Sequence, residues 1–192
     1  MKTLIIYAHP THLGHHGYFL EELKIVLNNK KIDYEILDLY ALNYDPILRA
    51  EELNFSPDHK ISEITKNYQE KVTAADNLIF IYPTWWQGVP AILKGFIDRT
   101  FAAGFAFKYQ NKMPKGLLTG KRAAVFSATG AAKIVNKFIV GDKGMKMMLN
   151  NVLRFCGFEA KGFSVGSARD LNDRQKKLII SEVSKLVLYL YK

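Results

Sequence analysis

The chain predicts an α/β fold in which helices cover both faces of a parallel sheet. Strand-like and helix-like patterns alternate from one end to the other, as a parallel sheet requires. Two strand candidates, residues 3–8 and 77–82, are apolar at nearly every position, which marks strands buried on both faces. A length of 192 residues, with 48% hydrophobic and 23% charged, suits one domain spanning 1–192 with a sizeable core.

The elements follow in order. Residues 3–8 (Thr-Leu-Ile-Ile-Tyr-Ala) form the first, central strand. A helix from about Gly17 to Asn29 puts Leu20, Leu23 and Leu27 on its inner face. Residues 34–39 alternate in polarity and read as a strand nearer an edge. The stretch from Tyr40 to about Ser62 contains Pro46 and Pro57, so it is expected to wrap the surface irregularly. A helix to about Ala75 precedes the strand at 77–82. Beyond it Val89, Ile92, Leu93, Phe96, Ile97 and Phe101 keep helical spacing. Residues 123–127 give the fourth strand. A helix from about Asp142 stops at Gly157, a residue suited to a left-handed cap. A short fifth strand near 162–165 and a helix from about Asp173 complete the chain. Ile179, Val183, Leu186, Val187 and Leu190 of that last helix face inward. Five strands in this sequence give a three-layer, flavodoxin-like arrangement with strand order 2-1-3-4-5.

Function concentrates at Pro83-Thr84-Trp85-Trp86-Gln87-Gly88. This turn leaves the carboxyl end of a central strand, where open α/β sheets bind their ligands. Two adjacent indoles there favour a flat aromatic ligand, the alternative being a hydrophobic plug under the next helix. The loop 9–17 holds four histidines and runs into a helix, whose free N–H groups and dipole make a phosphate seat. A metal site is a second reading, since imidazole ligates zinc, copper and nickel, but no cysteine or carboxylate lies in the loop. Incidental polar surface is the third. His59, distant in the irregular stretch, reads as surface.

Composition narrows the classes. Twenty-seven Lys and Arg against 18 Asp and Glu give a formal charge of +9. The lysines are dispersed, and no basic block alternates with aromatics, so nucleic-acid binding is not expected. No apolar stretch reaches the about 20 residues that span a bilayer. The amino-terminal run stops at His9-Pro10 without a cleavage site, so a cytoplasmic protein without membrane insertion is expected. Cys156, the single cysteine, continues the stripe of Met145, Met148, Leu149 and Val152 and reads as buried filler.

Several segments together resemble the flavodoxin-like NAD(P)H:quinone oxidoreductases. They are residues 7–10 (Tyr-Ala-His-Pro), 38–40, 45–46, 82–86, 88–95 (Gly-Val-Pro-Ala-Ile-Leu-Lys-Gly), 105–109, 129–130, 141–142 and 155–158. The resemblance spans nearly the whole chain in one order. It implies a homodimer with one flavin per subunit at the strand ends, and hydride transfer from NADH or NADPH through the flavin to a quinone. It implies cofactor contacts at His9, His15, Gly17, Pro83, Thr84, Trp85, Trp86, Gln87, Thr129 and Gly130, with Trp86 beside the flavin ring and interface or core as the alternative for Trp85. The backbone near Thr129-Gly130 would stabilise charge on the reduced ring. Phe107 and Tyr109 match positions that line the substrate pocket from the dimer mate, plain core packing being the alternative.

The chain departs from that pattern in three places. His15 stands where a serine is usual, and the asparagine expected near Tyr18 is absent. The stretch 134–140 is short and offers no tyrosine–histidine pair for proton transfer, so no catalytic side chain is assigned. That shortness, and the little sequence after Tyr191, favour FMN over FAD as cofactor. Two other classes stay open: a flavin-binding accessory subunit of a transport system, and a flavodoxin-type electron carrier. The carrier would need a hydroxyl-rich phosphate loop where this chain has histidines.

Overall fold

The computed structural model describes residues 1–192 apart from 55, 133, 134, 136–138 and 140. In chain order the elements are β1 (Lys2–Tyr7), α1 (Gly14–Asn29), β2 (Asp33–Asp38), α2 (Glu63–Ala74), β3 (Asn77–Pro83) and α3 (Ala91–Thr100). There follow β4 (Phe107–Gln110), β5 (Met113–Gly116), β6 (Arg122–Ala128), α4 (Lys143–Lys146), β7 (Glu159–Val165) and α5 (Asp173–Leu190). From α4 the helix continues with wider, π-type winding through Met147–Arg154.

The five-stranded sheet has order β2-β1-β3-β6-β7, every pair parallel, so the expected 2-1-3-4-5 arrangement is present by position. All seven residues of β3 are buried, which fits its place at the centre of the sheet. One face carries a core built from Leu4, Ile6, Leu78 and Phe80 with Leu93, Phe96, Met148 and Leu153. The other packs Ile5, Tyr7, Ile79, Ile81 and Phe126 against α1 and α5. Cys156 is buried in the first core, and burial pushes its thiol up to about 12. Among the described residues, no helix is long and apolar enough to cross a membrane.

Three local features differ from expectation. α1 begins at Gly14, three residues early, so His15 and His16 belong to its first turn. Gly17 permits this: a Cβ there would lie 1.6 Å from the His12 carbonyl oxygen, so only glycine lets the loop cross so closely. β7 starts at Glu159, because Arg122–Ala128 of β6 pair with it along their full length. The antiparallel hairpin β4–β5 was not expected. Its strands hold only four residues each and include Pro114 and Gly116, which weaken any strand pattern. The short stretch 134–140 falls largely outside the described residues; Val135 and Ile139 within it are exposed.

The wrap between β2 and α2 is held by one buried cation. Arg99, on α3, donates from Nη2 and Nε to Glu52 Oε1 at 2.8 and 3.2 Å, and from Nη1 to the Asp45 carbonyl at 2.5 Å. Both side chains of the pair are more than nine-tenths buried. Removing Arg99 leaves the buried Glu52 carboxylate without an opposite charge, held only by the Arg49 N–H and the Thr65 hydroxyl. Arg99→Ala is therefore expected to destabilise the fold by about 3–5 kcal/mol, read as a lower urea midpoint.

Candidate functional site

The carboxyl ends of β1, β3 and β6 open into a cleft of 300 Å³. Its walls come from four segments that lie far apart in sequence. His9, Leu13, Gly14, His15 and His16 follow β1; Pro83, Thr84 and Trp85 follow β3. Ala128, Thr129 and Gly130 follow β6, while Ala168 and Arg169 come from the β7–α5 loop.

The floor is fixed by the backbone. Thr84 N–H donates to the Ala128 carbonyl at 2.9 Å, and Thr129 N–H to the Val165 carbonyl at 2.9 Å. Thr129 Oγ1 accepts from Ala131 N–H at 3.4 Å, and Thr84 Oγ1 donates to Ser127 Oγ at 3.2 Å. At Gly130 an added Cβ would meet nothing within 4 Å. No neighbour in the protein requires glycine at that point of the cleft wall.

The double-tryptophan turn is a tight reversal. Trp85 and Gly88 exchange backbone hydrogen bonds at 3.1 and 2.9 Å, and both residues between them are left-handed, with φ of 50° at Trp86 and 61° at Gln87. Such a turn usually takes Gly or Asn, so two side-chain-bearing residues here store strain of about 1–3 kcal/mol each. The geometry separates the two indoles. Trp85 is half-exposed and lines the cleft, whereas Trp86 is fully exposed and lies outside the cleft lining. Gln87 also lies outside it, with Oε1 buried and without a partner.

The histidine loop is the other wall. His9 stacks on His16 with ring centroids 4.7 Å apart and meets Trp85 at 6.4 Å. His16 in turn meets Phe126 edge-on at 5.8 Å, and Phe126 stacks on Phe19 at 4.0 Å. A continuous set of rings thus ties the cleft to the core. His12 turns away and pairs with Asp38, whose other oxygen accepts from Tyr40 and Ala41 N–H. Among the described residues, no three His, Cys, Asp or Glu side chains come together as a metal site.

The residues present fit an anionic, flat ligand. α1 has no side-chain cap and no acidic residue in its first turn. By contrast α2 is capped by Ser62 and begins with Glu63, and α5 is capped by Asn172 and begins with Asp173. An uncapped helix start pointing into a cleft leaves N–H donors and positive potential for an anion. His15 and His16 are buried, each with Nε2 lacking a partner. Gly17 is outside the cleft lining; the close loop crossing is what its position shows. Phe107 and Tyr109 lie elsewhere, on β4. Phe107 packs on Phe155 at 4.9 Å beside an apolar groove of 540 Å³, and Tyr109 is exposed. Composition and motif gave no hint of Ala168 and Arg169, which only tertiary folding brings to the cleft.

Comparison with known proteins places the fold in a family. The family model described as a flavodoxin-like fold matches residues 1–182. The chain belongs to that family. It is 32% identical over 183 residues to an "uncharacterized NAD(P)H oxidoreductase" of Haemophilus influenzae, covering 94% of this chain and 91% of the relative. It is 31% identical over 143 residues to an FMN-dependent NADH:quinone oxidoreductase of Alteromonas mediterranea, covering 74% of this chain and 69% of the relative. An NAD(P)H:quinone oxidoreductase from Methanothermobacter marburgensis superposes with a TM-score of 0.82 at 26% identity, covering 96% and 94% of the two chains.

His16 makes the site sensitive to acid. Burial, then the neighbouring His9 and His15, lower its pKa from 6.5 to about 3. The unfolded chain therefore takes up the proton first: native stability is intact above pH 6.5 and falls as the pH drops toward 3. Between pH 6.5 and 5 the wild-type protein is expected to lose about 2 kcal/mol more than a His16→Leu variant, measured by denaturant unfolding at each pH.

Proposed function

We propose that this chain is an FMN-dependent NAD(P)H:quinone oxidoreductase that moves two electrons as a hydride in a ping-pong cycle. The observation that carries the reading is the cleft itself. An uncapped helix start, a half-exposed indole and a strand-end turn with free approach at Gly130 converge at the switch between β1 and β3. The names of the two relatives that state a quinone activity support the same chemistry.

In this reading Trp85, Thr84 and Pro83 hold one side of the flavin, and Thr129 and Gly130 the other. The start of α1, with His15, takes the phosphate. His9 is braced between His16 and Trp85 and fixes the wall between ring and phosphate. When bound, the flavin supplies the hydride acceptor for NADH or NADPH and the donor for the quinone. The protein's part is to orient both partners on the same ring in turn, which removes much of the entropic barrier. Trp86 and Gln87, raised by the left-handed turn, cap the exposed rim.

The working unit proposed is a homodimer. The apolar groove beside Phe107, with Tyr109 and Met113 exposed on the neighbouring hairpin, supports this reading, since such surface suits a second copy of the chain. Phe107 and Tyr109 would then serve the pocket of the second copy. The basic balance and histidine-rich loop favour this enzyme over a flavodoxin-type carrier.

Two measurements test the reading. Protein loaded with FMN is expected to lose its yellow colour when NADH or NADPH is added anaerobically, and to regain it with a quinone. A stable radical spectrum instead would support the carrier, and no bleaching with either nucleotide would support a binding module. Trp85→Ala is expected to weaken FMN binding by about 1–3 kcal/mol, measured by flavin fluorescence quenching.

A further inference from the structure

We propose that Arg169 is the specificity-determining cation of the cleft. In this assignment it works with His15 to hold a terminal phosphate at the first turn of α1. The proposal rests on the flavin reading above and concerns which residues of this chain replace the usual phosphate-binding side chains.

Arg169 is placed by a loop that is tied down at every residue from 166 to 169. Ser167 N–H donates to the Ala131 carbonyl at 2.8 Å, and Ala168 N–H donates to the Thr129 carbonyl at 3.0 Å. Gln175 Nε2 donates to the carbonyls of Gly166 and Ser167, and Arg169 N–H donates to the Ser167 carbonyl at 2.9 Å. Ser167 is left-handed, with φ of 54°, and so turns the chain sharply just before Arg169. The β7–α5 loop thereby faces the start of α1 across the cleft, since α1 and α5 pack on the same side of the sheet.

Three observations make the intervening space an anion seat rather than a bare helix end. Arg169 lines the cleft and makes no ion pair among the described residues, although it is an exposed guanidinium with Asp170 next in sequence. His15, also lining the cleft, is 5% exposed and its Nε2 has no partner. The first turn of α1 has neither a capping side chain nor an acidic residue to neutralise it. A planar guanidinium suits two phosphate oxygens at once, and charge-assisted contacts of this kind are about twice as strong as neutral ones. The donor set therefore suits a doubly charged phosphate monoester, as in FMN. It has no counterpart in riboflavin, which shares the ring but lacks the phosphate.

The test titrates apoprotein with FMN and with riboflavin, following flavin fluorescence, for wild type, Arg169→Gln and Arg169→Lys. The Gln variant is expected to bind FMN about tenfold or more weakly while its riboflavin affinity stays within about twofold. The Lys variant, which keeps the charge but loses the planar fork, is expected to fall between the two. Equal loss for both flavins, or unchanged FMN affinity, would overturn the proposal. So would a variant that leaves FMN untouched but weakens NADPH relative to NADH, since the guanidinium would then read a substrate phosphate. Wild-type protein that binds neither flavin would instead bring down the functional reading on which the proposal stands.

Discussion

Parallel pairing of β1 with β3 is the constraint on which the rest of this molecule depends. The two strands run in register from Thr3 opposite Asn77 to Tyr7 opposite Ile81, and Ala8 N–H continues the ladder to the Ile81 carbonyl at 2.9 Å. After β1 the chain crosses to β2 on one side; after β3 it crosses to β6 on the other. The two connections diverge, and a crevice is left where they part. The pairing therefore sets how far the histidine loop stands from the tryptophan turn. Because every residue of β3 is buried, a slip in this register would disturb both cores together.

Rigidity reaches the cleft by contact between rings. Trp85, His9, His16, Phe126 and Phe19 form an unbroken series from the mouth of the cleft to the α1 side of the core. His16 is neutral in that setting because burial opposes its charge, so it behaves there as a small aromatic ring. Against this stiff wall stand features that lower local stability: the uncapped start of α1, two orphaned imidazole nitrogens, and the left-handed pair Trp86-Gln87. Functional sites are where proteins retain such costs. Gly144 shows how closely the neighbouring helix follows the turn, since a Cβ there would sit 3.0 Å from the Gln87 carbonyl oxygen.

Most of the sheet was legible in the sequence because its strands are short apolar runs and its helices keep a regular inner face. Leu20, Leu23 and Leu27, and the five inward residues of α5, are all buried. The hairpin β4–β5 was not legible: its strands are polar, brief and interrupted by Pro114. Its register is set instead by a left-handed turn at Asn111-Lys112 and by Gly116, where a Cβ would lie 2.4 Å from the Cys156 carbonyl carbon. At the site, the residues following β1, β3 and β6 could be picked out by their position after strong strands. The distinction between Trp85 and Trp86 could not, because it depends on the φ angles of a four-residue turn. Arg169 was equally hidden, since hydrogen bonds to a loop some 40 residues earlier decide where it points.

The central claim is that a flavin occupies the crevice between the ends of β1 and β3, and backbone amide NMR during FMN titration tests it most directly. The expected result is that the largest shifts fall on His15, Thr84, Trp85, Thr129 and Gly130, together with the Trp85 indole N–H. Shifts confined to the apolar groove around Phe101, Phe107 and Phe155, with the strand-end residues unmoved, would contradict it.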